Sequence, residues 1–254
     1  MIKLAEGLYH EALDANAYFN IIKQYGTLEK QYKNEMRVSP AFYHIAYDAL
    51  IEACFMKVAK LFEKSSEKRG IGLLLEECYN NKGMFHEYEA AITTENGEER
   101  LLPYKHLVDS NENRFLEKLG KEKGSKLYYS DEGLSVEESN EIEFTFSELI
   151  TLYRLVFCSF SKKRDNVYEQ RNELYAHIST KSMYDSEELI KKNPVLFRDI
   201  ADLIEFALKC TRLVICNLTG VCKPEQYKNI GDLENTLILV GRGLKYQDII
   251  LEHL

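Results

Sequence analysis

Four prolines in 254 residues leave this chain little with which to break a helix. Proline lacks a backbone donor and clashes with the preceding turn, so it ends or kinks any helix that contains it. Two of the four follow a capping residue, in Ser39-Pro40 and Asn193-Pro194. Ser and Asn side chains accept from the free amides of a first turn, and Pro suits the first helical position, so both pairs read as helix starts. Only 13 glycines add to the breakers. Leu, Glu, Lys and Ala are abundant, and β-branched residues dominate no long stretch. The fold class that follows is all-α.

Apolar spacing fills in the helices. Leu4, Leu8, Ala12, Ala15, Phe19 and Ile22 recur at steps of three and four, which gives one apolar helix face, with Gly26 placed as a C-terminal cap. The polar stretch Thr27 to Met36 reads as a short helix with a solvated face. From Pro40 to about Glu63 a helix carries Phe42, Ile45, Ala46, Ala49, Leu50, Ala53, Met56 and Leu61. Its aromatic residues spread round the axis, as expected of a central helix. Another helix is expected at 71–80. The stretch 81–140 is less regular. It holds the turn-like Glu95-Asn96-Gly97-Glu98 and reads as a variable insertion with one or two helices near Arg100 to Leu119, joined by exposed loops. A strong helix resumes at Phe146 and runs through Leu149, Leu152, Tyr153, Val156, Phe157 and Phe160. The second start signal leads into a long helix to Leu218 with Gly220 as its stop. Residues 221–254 form a helical C-terminal extension with a helix over Leu233 to Val240. With no internal repeat, 1–254 is expected to be a single domain.

Hydrophobic residues make up 45% of the chain, enough for a real core, and the formal net charge is -8. A protein that coats long nucleic acid by neutralising phosphates carries a basic surface, so that class is disfavoured, whereas a local basic site on an acidic body is not. The six Cys include no CxxC pair, and the first twenty residues alternate apolar with charged side chains rather than forming a signal peptide. Six reduced thiols in a cytoplasmic protein are expected. Steps of six between Cys210, Cys216 and Cys222 do not stack on one helix face, which argues against zinc. No apolar run is long enough to cross a bilayer, so no membrane contact is expected.

The residues with chemistry to offer cluster late in the chain. Lys162-Lys163-Arg164-Asp165-Asn166-Val167-Tyr168-Glu169-Gln170-Arg171 is the best local basic patch, and Arg171-Asn172-Glu173-Leu174-Tyr175-Ala176-His177 closes it. Histidine exchanges a proton near neutral pH. Arginine offers phosphate oxygens a fixed charge and a forked set of donors. Asparagine can orient a phosphate or the imidazole. These groups suffice for RNA cleavage without metal or cofactor. His177 takes the ribose 2′-hydroxyl proton, the oxygen attacks the adjacent phosphorus, and Arg171 stabilises the charge on the phosphoryl oxygens. Lys162, Lys163, Arg164 and Tyr175 are the candidate RNA contacts. On a regular helix, residues six apart lie roughly 120° from one another. Arg171 and His177 therefore meet only if the helix is distorted or if a two-fold dimer brings two copies of the patch together, and a homodimer is the favoured expectation.

The run Arg171-Asn172, four residues, then His177 resembles the Arg-polar-x-x-x-x-His signature of the HEPN superfamily. Ser39 to Leu50, Ala59-Lys60-Leu61-Phe62-Glu63 and the seven-residue run together resemble its abortive-infection U-type branch, over about half the chain. The resemblance implies a HEPN-type helical bundle and a metal-independent endoribonuclease of phage defence or toxin type. It also implies a composite site in a homodimer and an antitoxin or other regulatory partner. Some HEPN toxins carry a modifiable Tyr two residues after the His. Here that position is Ser179, with Tyr184 the next Tyr, so the resemblance does not extend to that control. The rival reading is a non-catalytic helical binding module, an antitoxin, adaptor or nucleotide sensor that keeps the fold. Transfer chemistry on nucleotides would need a Gly-rich phosphate loop, which the sequence does not offer. His177 alone reads equally as a surface histidine, Arg171 as a partner of Asp165 or Glu173, and Tyr175 as core. His10 and His44 read as structural.

Overall fold

The computed structural model describes residues 1–63, 70–130, 133–172 and 190–252. Three long helices make its centre. α1 (Ile2–Gln31) packs along α3 (Pro40–Leu61) and along α8 (Phe197–Thr219), and α3 also touches α8. The buried face of α1 runs Ala5, Leu8, Ala12, Ala15, Phe19 and Ile22, the three-and-four spacing of a helix that covers a core. α4 (Ile71–Asn80) packs on α6 (Phe146–Ser159) and on α8, and α7 (Ser161–Gln170) packs on α3 and α6. α9 (Asp232–Glu252) closes over α1 and the short α2 (Lys33–Met36). The all-α reading holds. Among the described residues no helix is long and apolar enough to cross a membrane.

α1 does not stop at Gly26. It continues to Gln31 because its last turns have something to bury. Tyr25 and Leu28 join Met36 and Leu237 in a small second core, which outweighs the roughly 1 kcal/mol that an interior Gly costs. α3 is less central than its composition promises. Cys54, Val58, Ala59 and Leu61 are buried, while Phe42 and Ile45 near its start stand exposed. α8 begins at Phe197 rather than at Pro194, where the Asp199 carboxylate accepts from the Leu196 amide at 3.1 Å. It ends as expected at Gly220, which adopts φ 70°, a conformation that favours glycine. α9 runs on through Gly241 and Gly243.

The insertion is where expectation and structure part. Between α4 and α6 the described chain forms three antiparallel strand pairs rather than a helical segment. β1 (Ala90–Thr93) pairs with β2 (Glu99–Leu102) across the Glu95-Asn96-Gly97 turn. β3 (Tyr104–Leu107) pairs with β6 (Glu141–Phe144), and β4 (Gly124–Ser130) with β5 (Gly133–Ser139). Helix appears only as α5 (Ser110–Asn113) and two single 3-10 turns. The physical reason is visible in β6, where Ile142 and Phe144 are buried while Glu141 and Glu143 are not. That is the period of a strand with one wet face. The core beneath is aromatic, with Phe85 stacked on Phe146 at 4.3 Å.

Two cysteines also depart from expectation. Cys216 and Cys222 are joined, their Cα atoms 4.7 Å apart. Six residues apart on one helix they would not meet, but Gly220 ends α8 between them and turns the chain back. The segment that follows is strapped to α1, whose side chains satisfy its carbonyls. Tyr9 Oη donates to Pro224 at 3.0 Å, Asn16 to Glu225 at 2.9 Å and Gln24 to Ile230 at 2.7 Å.

Candidate functional site

The signature is delivered by α6 and α7. A capping box starts α6. Thr145 Oγ1 accepts from the Glu148 amide at 3.2 Å, and Glu148 accepts from the Thr145 amide at 2.8 Å. The chain breaks only slightly at Phe160, since the Arg164 amide still donates to the Phe160 carbonyl at 2.9 Å. α7 thus follows α6 after a single non-helical residue.

α7 has two distinct faces. One is anchored. Val167 and Gln170 are buried, Gln170 donates to the Asn193 carbonyl at 2.6 Å, and Asn166 donates to the Pro194 carbonyl at 2.7 Å. Lys163 belongs to this face and pairs with Asp199 at 3.2 Å and with Asp202. The other face carries Arg164, Tyr168 and Arg171. The Arg164 guanidinium lies 3.8 Å from the Phe157 ring centroid, and that of Arg171 lies 4.8 Å from the Tyr168 centroid. Burial presses Arg164 below its ordinary pKa, partly offset by the charge of Asp165. Lys162 is exposed, pointing to neither face.

At Arg171-Asn172 the helix widens into a π-type turn, a distortion that often accompanies functional positions. Both residues are half-buried. Among the described residues Arg171 makes no salt bridge, and its Nε is buried without a hydrogen-bond partner. Tyr175 and His177 lie outside the described residues, as do Ser179 and Tyr184. The structure thus describes half of the signature: an arginine held against a ring, followed by an asparagine, both half-buried at the end of α7.

A larger concavity lies elsewhere. A cleft of about 1060 Å³ opens between β3 and the second half of α8, lined by His106, Asp109, Tyr153, Lys209, Arg212 and Asn217 among others. His106 Nε2 sits 3.0 Å from the buried Glu112 carboxylate, and Lys209 reaches Asp109 at 2.6 Å. Nothing in the local sequence announces this cluster. It exists only because β3 and α5 are folded against α8.

The family model for AbiU2, a HEPN family, matches residues 1–235. The chain belongs to the AbiU2 family. No curated protein and no solved structure matches it. The match spans the strand pairs of residues 81–140 as well as the bundle and the signature, and ends within α9. This is a HEPN-type abortive-infection protein, all-α in its bundle.

Proposed function

We propose that this AbiU2 protein is a metal-independent endoribonuclease of phage defence or toxin type, acting at a composite site formed by two copies of the chain. The carrying observation is Arg171. At the end of α7 it is held against Tyr168 rather than by a carboxylate of the described residues, and its Nε is buried without a hydrogen-bond partner. Asn172 orients the phosphate. His177 takes the 2′-hydroxyl proton, the oxygen attacks phosphorus, and a proton returns to the departing 5′-oxygen. The products are a 2′,3′-cyclic phosphate and a 5′-hydroxyl. Lys162, Arg164 and Tyr175 supply RNA contacts, while Lys163 is engaged by Asp199 and Asp202. No cofactor takes part. A regulatory partner such as an antitoxin would act by covering the signature, and the setting is the cytoplasm.

The test is to express the wild-type chain and His177→Ala and to sequence the RNA ends each generates. Loss of a general base typically costs on the order of 100-fold or more, so the variant should yield almost no cyclic-phosphate ends while melting at the wild-type temperature. Equal ends from both proteins would leave a binding module as the answer. For the dimer, Arg171→Ala and His177→Ala chains are mixed after each is shown to be inactive. A site that draws Arg from one copy and His from the other regains part of its activity in the mixture. No recovery in a verified mixed dimer argues that each chain carries its own site.

A further inference from the structure

We infer that the outer face of α4, α6 and α7 is a binding track for single-stranded RNA that leads to Arg171. The inference rests on the ribonuclease reading above and names the form of RNA that the site takes and the side chains that hold it away from the scissile phosphate.

Along α6 and α7 the residues Arg154, Phe157, Arg164, Tyr168 and Arg171 are spaced by three, seven, four and three. With Ser161 between them, this is a three-and-four series, the spacing of one helix face, and it runs across the single non-helical residue Phe160. One contact agrees: the Arg164 guanidinium lies 3.8 Å from the centroid of the Phe157 ring, seven residues earlier, a ring that itself packs inward against Gly72 and Phe62. Tyr79 of α4 extends the face. Arg154 lies 3.8 Å and Lys82 4.2 Å from the centroid of its ring. The face thus repeats one motif, a cation set on an aromatic ring, three times between Tyr79 and Arg171.

These cations differ from those that carboxylates hold elsewhere in the fold. Lys57, Lys60, Lys163, Lys209 and Arg212 are all paired with carboxylates. Among the described residues Lys82, Arg154, Arg164 and Arg171 make no salt bridge. A ring positions a cation without neutralising it, so four cations, Arg164 with Asp165 beside it, stand along one strip of a chain whose formal net charge is -8. Such a strip has the chemistry of a single-strand site, with cations at phosphate spacing and rings or stacked guanidinium planes on which bases lie. Tyr79 is 38% exposed, open enough to stack a base. From residue 154 to residue 171 the helices rise about 25 Å at about 1.5 Å per residue. That suits on the order of four nucleotides, the low end of single-strand site sizes. A rigid duplex keeps its bases inside the stack and cannot use the rings.

The experiment measures binding apart from cleavage. A fluorescent single-stranded RNA of about 12 nucleotides, 2′-O-methylated so that it lacks the attacking hydroxyl, is titrated by anisotropy against the full chain at several salt concentrations. The proteins are wild type, Arg154→Gln, Arg164→Gln, Tyr79→Leu and, as a control, Lys30→Gln. Thermal midpoints report folding, and Arg154→Gln and Tyr79→Leu keep the test open if Arg164→Gln unpacks Phe157. Each Arg variant should raise Kd several-fold and lower the log–log salt slope by about 0.7, the share of one phosphate on a single strand. Tyr79→Leu should raise Kd about five-fold or more with the slope unchanged. Lys30→Gln should match wild type, and a duplex of the same sequence should compete poorly. On unmodified RNA the track variants should raise KM and leave kcat near wild type. Variants that bind as wild type does while wild type cleaves RNA overturn the track and leave the ribonuclease standing. So does a loss confined to kcat, or a duplex that competes as well as the single strand. If wild type neither binds the strand nor cleaves RNA, both readings fall.

Discussion

Replacing Glu112 tests whether the strand insertion is fastened to the bundle by charge. Glu112 is 1% exposed. Its Oε2 accepts from the Asp109 amide at 2.9 Å and meets His106 Nε2 at 3.0 Å, while its Oε1 has only Lys209 at 3.7 Å. Lys209 comes from α8, and His106 and Asp109 come from β3 and the turn before α5. One carboxylate therefore joins both sides of the junction. Truncation to Ala strands a partly buried lysine and an imidazole nitrogen, and breaking a buried pair from one side costs about 3–5 kcal/mol. Lys209 keeps Asp109 at 2.6 Å and Glu205 at 3.1 Å, which places the expected loss for Glu112→Ala at the lower end, about 3 kcal/mol. For a chain of this size that lowers the melting temperature by on the order of 10 °C. Glu112→Gln keeps an oxygen for the Asp109 amide but turns an amide toward Lys209, and should cost about 1–2 kcal/mol. Urea unfolding at constant m measures both. The reasoning is refuted if the Ala variant lies within about 1 kcal/mol of wild type. If Gln and Ala cost the same, the charge carries the effect and the capping hydrogen bond contributes nothing. RNA cleavage at a temperature where the variants stay folded should not change, because the junction lies on α8 and β3 rather than on α7.

Three further outcomes follow from the same contacts. Burial alone would raise the carboxyls of Glu11 and Asp14, yet hydrogen bonds from Lys60 and Lys57 to the first, and from Lys57 and Tyr227 to the second, hold both below their ordinary values. Stability from these groups is present above an unfolded pKa of about 4 and lost as pH falls through the lower folded values, so urea midpoints should stay level above about pH 5 and decline below it. A midpoint that rises on acidification to about pH 3 contradicts that sign. Cys216 and Cys222 close a loop with a separation of six, for which chain entropy gives about 2 kcal/mol. Cys222→Ser should lower stability by that amount, thiol reductant should do the same to wild type, and reductant should not change the variant further. Lys163→Gln leaves Asp199 and Asp202 without their cation. At partial exposure this should cost about 1 kcal/mol or less, with the RNA affinity and salt slope of wild type; a fall in slope would place Lys163 on the RNA.

What the sequence made legible is what local rules decide. Pro40 starts α3, Gly220 stops α8, and Glu95-Asn96-Gly97 turns a hairpin, each through the conformational preference of one or two residues. The insertion was opaque because its strands are mostly four residues long, too short for a period to show. Glu141-Ile142-Glu143-Phe144 alternates plainly, but its partner Tyr104–Leu107 is more than thirty residues away. Gly26 misleads for a similar reason, since the contacts that carry α1 past it come from Met36 and Leu237. The candidate site shows the same division most sharply. Lys162, Lys163 and Arg164 read as one basic patch because they are consecutive, but successive helix positions are about 100° apart. The fold sends Lys163 to the carboxylates of α8 and Arg164 to the ring of Phe157, and leaves Lys162 exposed. The positive strip that does form draws its charges from Lys82, Arg154, Arg164 and Arg171, from the 3-10 turn after α4 and from α6 and α7, no two adjacent. Charge counted along the chain finds the signature; charge counted along a helix face finds what leads to it. On an acidic chain only the second count locates a surface that can hold a polyanion.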